Sequence, residues 1–436
     1  ANGSGAFAIG LSAIANGINS TAVGILANAY GKNTIAIGTA ANAAIPNSDN
    51  SYDYGATAIG ASARAANRNS TAIGRSSYAG VASVGIGNNA NASGQRSIAL
   101  GNGTKALNQG SIAIGVLTEA SEDGAIAIGR LSVANQENST VLGDKAKATG
   151  SNSTAIGAAS QATGNGSIAL GAAANASGNY SQASGYQANA SAESAIAIGP
   201  NAGASGASST SIGASAKAAK QGSIAVGHLA NADAERSISI GSGSTANGSC
   251  SMALGWNANA TATNAIAIGH TANAVGINST AVGTSAQAEA NYASSYGTLA
   301  NASGIASMAF GAGAIASETA SIAHGVNSTA SGANSSTFGT AANATAEDAI
   351  AVGHLAKASG SDAIAIGKSS VASASNSTAI GTDSQASGEN STAYGDSSKA
   401  TGKNSSAFGF KATASGGDST SIGITSSATQ QGSTAI

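Results

Sequence analysis

The sequence predicts an all-β solenoid, in which the chain winds into stacked coils of about 14 residues that each contain two short strands. The first observation is a glycine that returns at this spacing from Gly87 to Gly423 without a slip. The second is an apolar residue directly before that glycine, as at Ile73, Leu100 and Ile128. A short, unbroken period is typical of repeat proteins in which each repeat contacts only its neighbours.

The composition favours a thin stack of coils over a globular core. The chain of 436 residues has 8% charged and 3% aromatic residues, Gly 60 and a formal net charge of −2. Such small side chains can fill a narrow tube but cannot build a thick core. The weak net charge predicts no nucleic-acid partner and no anionic membrane surface. The single Cys250 excludes an intramolecular disulfide framework.

The residues before the glycine, which is numbered as position 0, are predicted to form the first strand. Position −2 is almost always Ala, as at Ala72, whereas position −3 alternates between large aliphatic residues such as Ile98 and threonines such as Thr71, Thr154 and Thr280. This β-branched content is typical of a strand. Because successive side chains point to opposite faces, the strand is expected to be covered on both sides.

The residues after the glycine are predicted to form a second, shorter strand. Positions +3 and +5 are small, as at Ala63 and Ala65, and the intervening Arg64 at position +4 is polar. This alternation predicts that position +4 points outward. Many copies carry Asn there, including Asn175 and Asn189, and we expect these to form ladders from coil to coil.

Two turns are predicted to close each coil. Glycines near position +7, such as Gly150, Gly164 and Gly178, and Asn or Gly near position −5, such as Asn152, are expected to supply the positive φ values that turns need. The coil from Gly74 to Gly87 is one residue short, which indicates a tightened turn.

An insertion of about eight residues interrupts the period within Ala44 to Ala56. It contains Asp49, Tyr52, Asp53 and Tyr54, and it is the most polar-aromatic stretch of the chain. A loop that leaves a regular scaffold is where binding residues concentrate, so these four are candidates for contact with a partner. The alternative is a tolerated surface insertion that touches nothing.

The doubly apolar first strand also predicts an oligomer. One face of the strand can fill the coil, and the other face needs a second surface to cover it. We therefore expect copies of the chain to pack around a central axis.

The repeat resembles the head repeat of YadA-like trimeric autotransporter adhesins. The motif Asn-Ser-Thr-Ala-Ile-Gly-x-x-Ser/Ala-x-Ala, seen at 152–162 and 376–386, carries this resemblance, and it extends over essentially the whole chain, 1–436. The resemblance implies a left-handed parallel β-roll, a homotrimer around a central axis and display on a Gram-negative outer membrane. Neck, coiled-coil stalk and membrane-anchor sequences are not recognised, and we expect them to follow Ile436.

The resemblance also implies a host partner, either a matrix protein such as collagen, fibronectin or laminin or a cell-adhesion receptor. No catalysis, cofactor or metal is expected. Two rival functions are ice binding, which requires a regular Thr array, and a carbohydrate-directed β-solenoid, which requires longer coils and clustered carboxylates.

Polar residues replace the apolar ones in two coils of the first strand. His324 stands at position −1, and Gln182 and Ser184 stand at positions −3 and −1 of another coil. In a trimer these positions would recur three times near the axis, where they can fix register. Three imidazoles could hold an anion or a metal, and the alternative is a neutral histidine with an ordinary hydrogen bond. Trp256 and Tyr186, at position +1, are expected to fill grooves between chains, and the alternative is that they contact a partner.

Overall fold

The computed structural model describes residues 1–44 and 55–436. The chain divides into two units, Ala1–Ala219 and Lys220–Ile436, and the same coil recurs in each. In the described residues a coil consists of a long strand, a turn, a short strand and a second turn. Within this described part no helix is long and apolar enough to cross a membrane.

The first unit contains long strands of three residues and short strands of two residues in strict alternation. The long strands are Phe7–Ile9, Thr21–Val23, Ile35–Ile37, Thr57–Ile59, Thr71–Ile73, Val84–Ile86, Ile98–Leu100, Ile112–Ile114, Ile126–Ile128, Thr140–Leu142, Thr154–Ile156, Ile168–Leu170, Gln182–Ser184, Ile196–Ile198 and Thr210–Ile212. The short strands are Ile14–Ala15, Asn28–Ala29, Asn42–Ala43, Arg64–Ala65, Tyr78–Ala79, Asn91–Ala92, Lys105–Ala106, Glu119–Ala120, Val133–Ala134, Lys147–Ala148, Gln161–Ala162, Asn175–Ala176, Asn189–Ala190, Gly203–Ala204 and Lys217–Ala218.

The second unit repeats this alternation, and only its last long strand is shortened to two residues. The long strands are Ile224–Val226, Ile238–Ile240, Met252–Leu254, Ile266–Ile268, Thr280–Val282, Ser294–Tyr296, Met308–Phe310, Ile322–His324, Ser336–Phe338, Ile350–Val352, Ile364–Ile366, Thr378–Ile380, Thr392–Tyr394, Ser406–Phe408, Thr420–Ile422 and Thr434–Ala435. The short strands are Asn231–Ala232, Thr245–Ala246, Asn259–Ala260, Asn273–Ala274, Gln287–Ala288, Asn301–Ala302, Ile315–Ala316, Thr329–Ala330, Asn343–Ala344, Lys357–Ala358, Val371–Ala372, Gln385–Ala386, Lys399–Ala400, Thr413–Ala414 and Ser427–Ala428.

Each strand pairs in parallel with the same strand of the next coil. Ile156 of one long strand lies opposite Leu170 of the next, and Gln161 lies opposite Asn175 in the short strands. The hydrogen bonds continue through the turns, where the Gly157 N–H donates to the Leu142 carbonyl at 2.8 Å. The predicted all-β parallel solenoid of coils about 14 residues apart is confirmed.

The interior of a coil is filled by four small side chains. Positions −4, −2, +3 and +5 point inward, and in one coil these are Ser153, Ala155, Ser160 and Ala162, all fully buried. The largest fully buried side chain in the described residues is Val141. The predicted alternation of the short strand is confirmed, because Ala63 and Ala65 are buried on either side of the exposed Arg64. The space between the two strands therefore admits nothing larger than Val.

Buried serine hydroxyls close the turns. At position +3 the Ser160 Oγ donates to the Gly157 carbonyl at 2.9 Å. At position −4 the Ser335 Oγ donates to the Gly332 carbonyl at 2.7 Å. Each of these carbonyls also accepts the backbone N–H of the same serine, and the hydroxyls of Ser160 and Ser335 avoid the desolvation penalty of an unpaired group. Other buried serines, such as Ser167 and Ser279, have no hydrogen-bond partner among the described residues.

Glycine at position 0 is required by both backbone conformation and space. Gly157 has a φ of 128°, which residues with a Cβ rarely adopt. A Cβ built there would lie 2.5 Å from the Gly171 carbonyl oxygen of the next coil. The fixed period of this glycine thus follows from the close stacking of identical turns.

The remaining turn positions only partly follow the sequence-based expectation. Asn152 at position −5 has a φ of 56°, as expected, but Ala159 at position +2 has the same φ and was not anticipated. The prediction for position +7 was wrong, because Gly150, Gly164 and Gly178 do not have positive φ. At Gly150 and Gly164 a Cβ would instead collide with a backbone carbonyl of the next coil, so these glycines permit close approach.

Both irregularities of the period lie in turns. In the short coil Thr71 pairs with Val84 and Tyr78 with Asn91, so the missing residue falls in the turn after the short strand. The tightened turn predicted from the spacing is confirmed.

The coils on either side of the insertion keep their register. The long strand Ile35–Ile37 pairs with Thr57–Ile59, and the short strand Asn42–Ala43 pairs with Arg64–Ala65. The insertion therefore falls between the short strand Asn42–Ala43 and the long strand Thr57–Ile59.

We expect Gly157→Ala to destabilise the protein by about 1–3 kcal/mol, because the substitution combines a strained φ with a collision against Gly171. Thermal unfolding followed by circular dichroism measures the effect. The matched control is Gly203→Ala, since a Cβ at Gly203 meets nothing within 4 Å. Equal melting curves for the two variants would contradict the role assigned to position 0.

Candidate functional site

The long strands present an apolar face that the chain itself does not cover. In both units the residues at positions −3 and −1 point away from the alanine interior. Ile156 and Ile212 in the first unit are 39% and 38% exposed, and Ile366 in the second is 38% exposed. Rows of half-exposed aliphatic side chains are typical of surfaces that contact another molecule.

Gln182 and Ser184 interrupt this apolar face in the first unit. They occupy one long strand and lie between Ile168 and Leu170 of the preceding coil and the aliphatic strand Ile196–Ile198 of the following one. Both side chains are half-buried. The structure therefore places the two residues side by side with apolar neighbours, and their role in register stays a prediction.

His324 lies in a row of aromatic rings on the same face of the second unit. Its exposed ring is tilted against Phe310 on one side and Phe338 on the other, with centroids 5.9 and 5.6 Å away. Phe310 also stacks on Tyr296, with centroids 4.9 Å apart. Four successive coils thus carry a ring at position −1, and we call Tyr296, Phe310, His324 and Phe338 the aromatic ladder.

Sequence reasoning recognised aromatic residues at position −1, including Phe310, but did not connect them with His324 as one ladder. The signal was available as aromatic residues at the period of the coil, but His324 was singled out as a polar exception. Ring packing on both sides places His324 within the ladder, and a site formed by the imidazoles of three chains stays a prediction. Among the described residues no group of three His, Cys, Asp or Glu side chains is arranged to hold a metal.

The opposite face of each unit is formed by position +4 of the short strands. The predicted asparagine ladders are confirmed there, since amide–amide hydrogen bonds join Asn175 to Asn189 at 3.1 Å and Asn259 to Asn273 at 2.9 Å. Because the two strands of a coil enclose the interior between them, this face points away from the apolar face.

Exposed ion pairs also connect neighbouring coils. Lys105 contacts Glu119 at 3.4 Å and Arg130 contacts Asp144 at 2.9 Å, in each case one coil apart. Pairs so exposed to water add little stability, typically under about 1 kcal/mol. They do neutralise charge along the stack.

Large aromatic residues mark the turn between the two strands. Trp256 stacks on His270, one coil away, with ring centroids 4.5 Å apart. Trp256 is 50% exposed and Tyr186, at the same position in the other unit, is 55% exposed. The chain provides no cover for these rings, and the expectation that they fill grooves between chains stays a prediction.

The four candidate partner contacts of the insertion, Asp49, Tyr52, Asp53 and Tyr54, lie outside the described residues. Their flanks are held firmly in the stack: the Ala44 N–H donates to the Ala65 carbonyl at 2.9 Å.

The threonines at position −3 do not form a regular array. Thr140 and Thr154 are followed by Ile168, Gln182 and Ile196 in the same register. An ice-binding surface requires a more uniform row than this.

Comparisons with known proteins identify similarity over most of the chain. A family model described as the YadA head domain repeat (2 copies) matches residues 1–27, 29–48, 54–77, 79–104, 106–132, 134–160, 162–181, 176–202, 204–230, 218–244, 246–272, 274–300, 330–356, 344–370, 358–384, 372–398, 386–412, 400–423 and 414–436. The longest stretch outside these matches, 301–329, contains Phe310 and His324 of the aromatic ladder.

Six chains of solved structures match this chain. One of them is in the crystal structure of the collagen-binding domain of the Yersinia adhesin YadA, with 30% sequence identity and a TM-score of 0.19. The match covers 37% of this chain and 66% of that one, which is less than two thirds of its length. No curated protein matches the chain.

We expect His324→Asp to lower stability by about 0.5–1.5 kcal/mol, because a carboxylate replaces a ring that packs between Phe310 and Phe338. His324→Phe keeps a ring at this position and should preserve the melting temperature. Thermal unfolding of both variants checks the prediction. If both variants melt together, the ring contacts do not contribute.

Proposed function

Because the chain belongs to the YadA head repeat family, we propose that it is a trimeric, non-catalytic adhesin head displayed on a Gram-negative bacterial surface. Three copies pack their apolar faces around a common axis. The opposite faces and the turns meet a host receptor or matrix protein. The family match supports an adhesin, and the trimer and the host partner are our proposal.

The observation that carries the proposal is the uncovered apolar face of both units. The interior of a coil admits no side chain larger than Val, so the aliphatic residues at positions −3 and −1 cannot turn inward. Full burial of one such side chain contributes about 1.5–3 kcal/mol. With one or two of them in nearly every coil, a second and a third chain provide the cover that one chain lacks.

A trimer leaves the face with position +4 available for recognition. Collagen is the partner of the similar Yersinia domain, so collagen stands first among the candidate ligands, followed by fibronectin, laminin and cell-adhesion receptors. Three equivalent surfaces on one assembly convert weak individual contacts into strong attachment through effective concentration.

We expect the purified chain to have three times its 40.8 kDa mass in solution. Sedimentation or light scattering after gel filtration measures this. The triple variant Ile156→Glu, Val282→Glu, Ile380→Glu places carboxylates on the apolar face, where burial penalises charge strongly. It should dissociate the assembly or lower its melting temperature.

The control is matched coil by coil. Gln161→Glu, Gln287→Glu, Gln385→Glu adds the same charge to the same three coils at position +4, on the opposite face. This variant should keep the parental mass. A folded parental monomer, or equal weakening by both triple variants, would refute the proposed packing.

We expect Tyr52→Ala, Tyr54→Ala to weaken attachment of bacteria or coated beads to host cells while the trimer persists, because tyrosine is a frequent interface anchor. Cell-attachment counts and the solution mass are measured on the same preparation. Unchanged attachment would show that these tyrosines do not contact the partner, and the insertion would then be a tolerated insertion.

A further inference from the structure

Positive charge is concentrated in one part of the first unit. Residues 55–118 include four of the six arginines and one lysine but no acidic residue, although the whole chain has a net charge of −2. The five are Arg64, Arg68, Arg75, Arg96 and Lys105. Outside the segment, Arg130 pairs with Asp144 one coil away. Inside it, Lys105 pairs with Glu119, but the four arginines have no carboxylate contact among the described residues.

Two of these cations lie in a single row across four coils. Position +4 holds Arg64, Tyr78, Asn91 and Lys105 in successive short strands, which pair in parallel. At the usual spacing of about 4.8 Å between strands, the row spans about 14 Å. Lys105, at the end of the row, forms an ion pair with Glu119, whereas no carboxylate of the described residues contacts Arg64.

An open groove lies in the middle of this row. It has a volume of about 440 Å³ and is lined by Ser76, Tyr78, Asn91 and Ser93. The Arg64 guanidinium lies over the Tyr78 ring, 5.6 Å from its centroid. These residues offer hydroxyl and amide groups beside an aromatic ring, a combination that suits a sugar unit.

The remaining arginines lie on the turns that border the groove. Arg75 precedes the lining residue Ser76, and its Nε donates to Asn88 at 3.4 Å. Arg96 follows Ser93 by three residues, and Arg68 occupies the corresponding turn two coils earlier. All three side chains are exposed, and no carboxylate in the described residues contacts them.

We propose that this groove and its arginines bind a sulfated polysaccharide. The planar guanidinium fork matches an anionic oxygen group with two parallel hydrogen bonds. A linear polyanion can contact cations spread along the stack, while its sugar rings occupy the groove. The inference rests on the proposed function in one respect, which is that position +4 stays uncovered when three chains pack.

Other polyanionic partners fit the surface less well. Single-stranded nucleic acid requires a series of aromatic platforms, and this row offers only Tyr78. An anionic membrane requires apolar side chains that insert beside the cations, and the groove is lined by polar groups.

The test uses the whole chain and heparin as the probe. Arg64→Gln, Arg68→Gln, Arg96→Gln should weaken heparin binding by about tenfold or more near 0.15 M salt and lower the salt dependence of binding, because fewer counterions are released. The control Lys357→Gln, Lys368→Gln, Lys399→Gln removes the same charge from exposed sites in the second unit and should bind as the parent does.

A second variant and two other ligands distinguish loss of the binding site from loss of folding or of specificity. The double variant Arg64→Gln, Arg96→Gln, which should weaken binding severalfold, replaces the triple variant if the latter melts early. The inference is overturned if the lysine control loses as much heparin binding as the arginine variants, or if the arginine variants keep the heparin binding of the parent. It is also overturned if the chain binds phosphatidylserine vesicles or an oligonucleotide more tightly than heparin. A monomeric chain that still shows arginine-dependent heparin binding contradicts the trimer but supports the groove.

Discussion

The narrow interior of the coil is the constraint on which the rest of the molecule depends. Two strands that share only Ala, Ser and an occasional Thr or Val between them lie too close together for larger side chains. Val141, the largest fully buried side chain in the part of the chain that the structure describes, marks this limit. The aliphatic residues of the long strand must therefore point outward, and the same close approach makes glycine necessary where identical turns stack. The assembly that we propose would follow from a packing limit inside one chain.

Much of the fold could be predicted because its signals are strictly local and repeated. Gly157 and its equivalents define the period, and Ala155 and its equivalents identify the residues that point inward. Both residue types recur in nearly every coil of the sequence. The backbone geometry of the turns was harder to predict from the sequence. Ala159 adopts a positive φ that its residue type does not favour, since the stacked backbone imposes it. Gly150 shows the converse, because a residue suited to positive φ is used for its missing Cβ.

The candidate surfaces were harder to predict because they arise between coils. His324 attracted attention as an exception in the linear pattern, but its environment is set by Phe310 and Phe338, each one full coil away. Arg64 and Tyr78 likewise meet only after the chain has completed a turn. The net charge is a sum over the whole chain, so it does not show that most of the arginines lie in one segment.

The apolar face at positions −3 and −1 and the polar face at position +4 are under different physical constraints. Every substitution at positions −3 and −1 would be felt in three chains at once if they meet at an axis, which explains why Ile, Leu, Val and Thr dominate there. Position +4 holds Arg, Tyr, Asn, Lys, Glu, Val and Gly within the first unit, and exposed substitutions of this kind usually change stability by less than about 0.5 kcal/mol. In the proposed trimer, recognition could therefore diversify along one face while the opposite face keeps the assembly constant. A basic groove in one group of coils is an outcome that this separation permits.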